Sequence, residues 1–394
     1  MGEIVSVPSF GVAGAEGLPT AIVVGAGIIG LATAWELAGR GWEVTVVDPA
    51  PGHGATEAAA GMLTPISEVT WDQPTLYPLL TASDALYPDW VARVEQAAGT
   101  SLGYLTNETL ICAADAADRR GLLDIAGLQH ELGMPIESIS GSEARRLEPA
   151  LGPGVVGAMR IAVDHQIDPR KVSAALIDLV SQTCRLVDGQ VSGLLREGDA
   201  VVGVRLADGR ELRAGETLVA AGLGTGHIAG LPDDLPLPVR PVWGDILHLR
   251  VPERLYPLIT RMIRGVVHGL PVYLVPREDN EIVLGATARE GGVAGVNAGG
   301  VHQLLRDAER LVPGIAECEV TEMMARARPG SPDDAPMIGR VGPGLTVSTG
   351  FFRHGILLTP LAVHCGATLV TGGDLEPDTA AAVDPHRFDR QVVA

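Results

Sequence analysis

The period of the apolar residues changes several times along this chain, and each change marks an element. An apolar run from Ala21 to Val24 reads as a strand ending in Gly25-Ala-Gly27-Ile-Ile-Gly30. Helical spacing follows, with Ala34 and Leu37 on one face, until Gly41 stops it; a second strand, Val44 to Val47, then delivers Asp48. Amphipathic helices are expected over Leu79 to Ala98 and Ala114 to Leu132, with a strand from Glu108 to Ala113 between them. Asp168-Pro169 is a helix cap followed by proline at the first helical position, and predicts a helix through Ser173 to Val180. Three alternating segments lie between Cys184 and Val219, with Asp208-Gly209 as hairpin punctuation. Strands are expected at Asp245–Val251, Val272–Pro276 and Glu281–Ala286, and a helix at Val301–Leu311. The block from Leu345 to Val370 reads as strand, glycine turn and helix, the helix beginning at Gly355.

The first of these units carries chemistry. Gly25 permits a tight turn, Gly27 lets backbone amides approach a pyrophosphate, and Gly30 allows the helix to pack closely on its strand. The helix start offers unpaired N–H groups and a positive dipole end. Asp48 is placed to accept from ribose hydroxyls. Gly25, Gly27, Ile28, Ile29, Gly30, Asp48 and Pro49 are therefore candidate contacts to an ADP-containing dinucleotide. The alternative is a βαβ unit with a purely structural role.

Composition narrows the partners. A net charge of −19 argues against nucleic acid and anionic membrane surfaces. No apolar run approaches the roughly 20 residues that span a bilayer, and Met1 to Pro19 lack the basic start of a secretory signal. Cys112, Cys184, Cys318 and Cys365 are scattered without a CxxC pair, so a zinc site or disulfide framework is not expected and a cytoplasmic protein with reduced thiols is. Lys171 is the only lysine, which leaves little room for Schiff-base chemistry.

Three further segments decide the kind of dinucleotide protein. They are Thr56-Glu-Ala-Ala-Ala-Gly61-Met62-Leu63; Tyr273-Leu-Val-Pro276-Arg277 with Ile282 to Thr287; and the stretch from Ala327-Arg328-Pro329-Gly330 to Gly339, joined to Gly350-Phe-Phe-Arg353-His354-Gly355-Ile-Leu-Leu-Thr-Pro360. With the N-terminal unit, from about Ala21 to Val370, they make the chain resemble the FAD-dependent amine and amino-acid oxidases of the D-amino-acid oxidase superfamily. The closest likeness within it is to the glycine oxidases of thiamine biosynthesis. The resemblance implies FAD contacts at Ala55, Thr56, Ala60, Gly61 and Met62, an adenine-side backbone contact near Val191, and a cradle for the flavin ring at His354, Gly355, Ile356 and Leu357. It implies Arg328 as the clamp on a substrate carboxylate, with Arg353 and Tyr273 in the same pocket. A guanidinium suits that task because it pairs bidentately and stays charged when dry. Structural salt bridges are the competing reading of both arginines, and a plain core tyrosine that of Tyr273.

The implied reaction is oxidative deamination of glycine, sarcosine or a small D-amino acid by O2, with non-covalent FAD doing the redox chemistry and no acid–base side chain required. Glycine would give glyoxylate, ammonia and hydrogen peroxide. The alternatives are a different D-amino-acid or sarcosine oxidase or dehydrogenase and, more remotely, a non-catalytic dinucleotide-binding module. A homo-oligomer, a tetramer as in much of the family, is the expected assembly. Trp243, Asp245, Phe351 and His354 depart from the family's usual residues.

Pattern and resemblance together predict an α/β protein with a discontinuous Rossmann-like FAD domain (20–75, 155–230 and 330–375). A mixed, mainly antiparallel substrate domain (76–154 and 231–329) would cover the flavin, with a crossing at Pro232 to Pro241. Residues 1–19 and 376–394 are expected to be flexible ends.

Overall fold

A computed structural model describes residues 17–68, 73, 75–291 and 293–388; the expected flexible ends therefore lie partly outside the described residues. Strand β1 (Thr20–Val24), helix α1 (Ile28–Gly39) and strand β2 (Glu43–Asp48) form the unit expected from the sequence, with β1 and β2 parallel. They sit in a six-stranded sheet ordered Met337–Gly342, Leu345–Thr349, Glu216–Val219, β1, β2, Arg185–Asp188. All its pairings are parallel except that of the edge strand Met337–Gly342.

The two-residue period of the strands divides their side chains between two cores. Ala21, Val23, Val44, Val46 and Leu218 pack under helices, whereas Ile22, Val24, Val47, Val219 and Val347 face a three-stranded antiparallel sheet. That small sheet comes from the stretch where three segments were expected. The stretch holds five strands instead: Arg185–Asp188, Val191–Glu197, Ala200–Leu206, Glu211–Arg213 and Glu216–Val219. Asp208-Gly209 does turn the last hairpin of the small sheet.

Helix α2 (Leu76–Ala98) packs with α1, Pro169–Thr183 and Thr359–Val370 in the nucleotide-side core through Leu79, Tyr87, Val91 and Val94. Its amphipathic pattern announces a buried face, but not which core receives it, and the expectation that it belonged to the other domain is corrected. The helix Pro169–Thr183 starts as its sequence predicts, with the Asp168 carboxylate accepting from the Arg170 and Lys171 amides.

The second sheet has nine strands and is mixed, mainly antiparallel. Its long strand Arg240–Arg250 leaves the proline-rich crossing and pairs on one side with Glu281–Gly285 and on the other with the edge strand Glu319–Gly330. Leu270–Pro276, Met262–Val267, Thr109–Ala113 and Gly157–Ile161 follow outward. Gly157–Ile161, expected on the nucleotide side, belongs to this sheet because it pairs with Thr109–Ala113. Pro329 and Gly330 end the twelve-residue strand Glu319–Gly330.

Residues 377–387 pack against the fold, contrary to the expected flexible end. Pro377–Val383 is a helix with Val383 fully buried, and Arg387 pairs with Asp333 at 2.8 Å. Of the described helices, none is long and apolar enough to cross a membrane.

Candidate active site

Between the two sheets lies a cavity of about 760 Å³, within the range of cofactor sites. It starts at the α1 turn and ends against the segment 351–357. Every candidate residue from the sequence lines it except Gly30. A Cβ on Gly30 would stand 1.9 Å from the Gly25 carbonyl oxygen, so its absence lets α1 press on the turn. Gly30 serves by packing and touches no ligand space.

The nucleotide end is held by its own hydrogen bonds. Gly25 has φ +104, a left-handed conformation that a side chain would oppose. The Asp48 carboxylate accepts from the Ala26 amide and the Ala50 amide, each at 2.7 Å. One lone pair on each oxygen therefore fixes the turn, and the other remains for a ribose hydroxyl. The Thr56 hydroxyl accepts from the Ile28 amide at 3.2 Å, tying the short helix Ala55–Ala58 to the start of α1. Gly61, at φ +71, brings its backbone against Ile167 and Pro169, where a Cβ would stand 1.9 Å from the Ile167 carbonyl oxygen. Pro49, Ala60, Met62 and Val191 also line the cavity.

At the far end the expected helix start is shifted. The chain turns through 352–358, and the helix runs from Thr359 to Val370, because Pro360 needs a first-turn position. The turn is clamped from behind by α2. Tyr87 donates to the Ile356 carbonyl at 2.8 Å and Ser83 to the Leu357 carbonyl at 2.7 Å. The Gly355 carbonyl accepts from the Thr359 hydroxyl at 2.8 Å. With the carbonyls taken, no acceptor among the described residues engages the amides of Gly355, Ile356 and Leu357, which border the cavity. That is an anion-stabilising arrangement, matching the negative charge a reduced flavin carries. His354 is buried beside it, and burial holds its imidazole down at about 3, so it is neutral near pH 7. Phe351 is a buried core residue.

The substrate wall is one face of the second sheet, and register fixes which side chains share it. Arg328 lies opposite Val242, Ile246 opposite Gly285, Gly285 opposite Tyr273, and Tyr273 opposite Arg264. Val242, Gly244 and Ile246 alternate on one strand, so Arg328, Gly244, Gly285, Tyr273 and Arg264 all point to the cavity. Two glycines then shape the floor. A Cβ on Gly244 would meet the Arg328 guanidinium at 2.4 Å, and one on Gly285 would meet the Tyr273 hydroxyl at 2.4 Å. Arg328 and Tyr273 therefore lean toward each other across two missing side chains. Burial pushes the Tyr273 phenol up, and the nearby Arg328 charge works the other way.

The two arginines singled out from sequence separate here. Arg353 is held by Glu68, Nε to Oε2 at 3.0 Å, which is the salt-bridge reading. Arg328 donates to the Thr287 carbonyl at 3.1 Å, and among the described residues no carboxylate pairs with it. Asp245 is fully buried and accepts from the Thr287 hydroxyl and from Arg289, at 2.8 and 2.7 Å. It positions Thr287, and through it Arg328. Glu68, Arg264 and Gly244 escaped the sequence reading, and Thr287 stands in one of its motifs without a role of its own. An arginine inside the otherwise apolar run Met262–Val267 is the signal that could have found Arg264.

The sequence profile of the FAD dependent oxidoreductase (DAO) family matches residues 20–368. A bifunctional protein ThiO/ThiG of Nostoc sp. is 33% identical over 90% of this chain, which spans only 53% of that longer protein. A glycine oxidase of Geobacillus kaustophilus is 30% identical over 90% of this chain and 94% of its own length. The crystal structure of glycine oxidase from that species superposes with a TM-score of 0.85, covering 93% of this chain and 98% of the other. An iminodiacetate oxidase from Chelativorans sp. superposes at 0.82 with 27% identity, covering 93% and 98%. Strand order, nucleotide turn and sequence agree: the chain belongs to the FAD-dependent oxidoreductases of the DAO family.

Proposed function

We propose that this chain oxidises a small amino acid or amine of the glycine and sarcosine class with O2, forming an imine that water hydrolyses to the oxo acid and the amine or ammonia. The observation that supports it most is the unpaired Arg328 guanidinium, seated over Gly244 next to the Tyr273 hydroxyl. A cation kept without a carboxylate partner on a cavity wall is a receptor for a substrate carboxylate. FAD held along this cavity would supply the redox chemistry, as acceptor of the substrate's hydride and donor to O2. The protein's share is orientation. Arg328 and Tyr273 hold the carboxylate, the Gly355 to Leu357 amides favour negative charge at the opposite end, and neutral His354 adds no competing positive charge. The glycine oxidase and ThiO/ThiG relatives support glycine as substrate and a supply role in thiamine thiazole synthesis. Anaerobic addition of glycine, sarcosine and D-alanine to the purified yellow protein tests the reading. Bleaching of the flavin band by at least one of them is expected. A flavin-loaded protein that none of the three bleaches overturns it.

The cofactor assignment has its own test. Asp48→Ala removes a carboxylate acceptor, and hydrogen bonds to such groups contribute about 1.5–3 kcal/mol, or roughly ten- to hundredfold in affinity. FAD titration of the apoprotein should show that loss in Kd, with the far-UV circular dichroism of the loaded protein retained. An unchanged Kd removes Asp48 from the ribose site.

A further inference from the structure

Among the described residues, six Asp, Glu and Arg side chains line the cavity, and two are already engaged. Asp48 is tied to the nucleotide turn, and Arg326 pairs with Glu57 at 2.9 Å. What remains among the described lining residues is Arg264, Arg328 and Arg353 with a single carboxylate, Glu68. Glu68 pairs with both Arg264 and Arg353. Its side chain is 9% exposed, against 17% for Arg264 and 37% for Arg353. Burial alone would push its carboxyl up, but the two guanidiniums outweigh burial and hold it at about 2, fully ionised.

We propose that Glu68 sets the substrate's charge class: by occupying Arg264 and Arg353 it restricts the site to amines with one carboxylate, and its neutralisation opens the site to dicarboxylic amines. The inference rests on the reading that Arg328 clamps the first carboxylate. A second carboxylate, whether N-carboxymethyl or on an acidic side chain, would need a cation beyond Tyr273. Arg264 stands one strand beyond Tyr273 on the same face. In the native protein that cation is already neutralised, and the incoming group meets a like charge instead. With Glu68→Gln, two guanidiniums lose their shared partner, and an anion that joins them regains the lost pairing.

The test uses the flavin-loaded enzyme with paired substrates, sarcosine against iminodiacetate and D-alanine against D-aspartate and D-glutamate. For the wild type, kcat/KM for each dicarboxylic amine should be at least tenfold below that of its monocarboxylic counterpart. In Glu68→Gln the ratio should move at least tenfold toward one of the dicarboxylic amines, and Glu68→Gln/Arg264→Gln should lose that gain. A second readout needs no turnover: shifts of the flavin absorbance on titration with acetate and propionate, compared with malonate and succinate, should give the same order of Kd values. Equal handling of mono- and dicarboxylic ligands by the wild type overturns the proposal without any variant, as does a folded, flavin-loaded Glu68→Gln with the wild-type ratio. If no monocarboxylic amine is oxidised, the proposed function fails, and the binding series still decides the role of Glu68.

Discussion

Arg328→Ala is expected to raise KM for glycine or sarcosine a hundredfold or more, or to abolish turnover, while the protein stays yellow and folded. A substrate this small offers few contacts besides its carboxylate, so one bidentate pair carries much of its binding. Removing one partner of a buried ion pair costs on the order of 3–5 kcal/mol, a hundredfold or more in affinity. The side chain is only partly buried, which places the expected effect at the lower end. Stability should change little, because the guanidinium donates to the Thr287 carbonyl and, among the described residues, no carboxylate pairs with it. Arg328→Lys should recover little, since an ammonium lacks the planar fork and Gly244 leaves a slot shaped for a flat group. Steady-state kinetics on both variants, with the flavin spectrum as a check on loading, measure this. Near-normal glycine oxidation by Arg328→Ala would move the clamp elsewhere on the wall.

What the sequence reveals of this site follows from how local each signal is. The β1–α1–β2 unit is legible almost residue by residue, because glycine positions, helix period and the terminal acid all fall within Ala21 to Asp48. The helix from Pro169 is legible for the same reason, its cap lying next to its first turn. The substrate wall is not local. Its face is fixed by registers that join residues far apart in the chain, such as Val242 with Arg328 and Tyr273 with Arg264. Gly244 and Gly285 look like two of 50 glycines until the strands are laid side by side. The role of α2 behind the flavin turn is invisible for a related reason: Tyr87 and Ser83 reach carbonyls about 270 residues later, 269 and 274 positions along the chain. Resemblance located Arg328 and Arg353 alike, but only the partners of each tell them apart.

Gly30→Ala should cost more than a methyl group ordinarily does. The added carbon would stand 1.9 Å from the Gly25 carbonyl oxygen and 3.0 Å from its carbonyl carbon, both backbone atoms that no rotamer change can move aside. Relief requires α1 to shift away from β1, or the turn at Gly25 to open. Either movement displaces the amides at the start of α1, the proposed pyrophosphate contacts, and loosens a core in which Ile29, Leu31 and Ala34 are buried. Overpacking of this kind costs about 1–3 kcal/mol, and more where backbone must move, so FAD affinity and Tm should fall together. Gly39→Ala in the same helix is the matched control. Its added carbon would meet nothing within 4 Å, and alanine in place of helical glycine stabilises by roughly 0.5–1 kcal/mol. Thermal unfolding and FAD titration of the two variants should therefore move in opposite directions or, for Gly39→Ala, leave FAD affinity unchanged. A Gly30→Ala protein that binds FAD like the wild type would show that the turn tolerates a wider separation between α1 and β1.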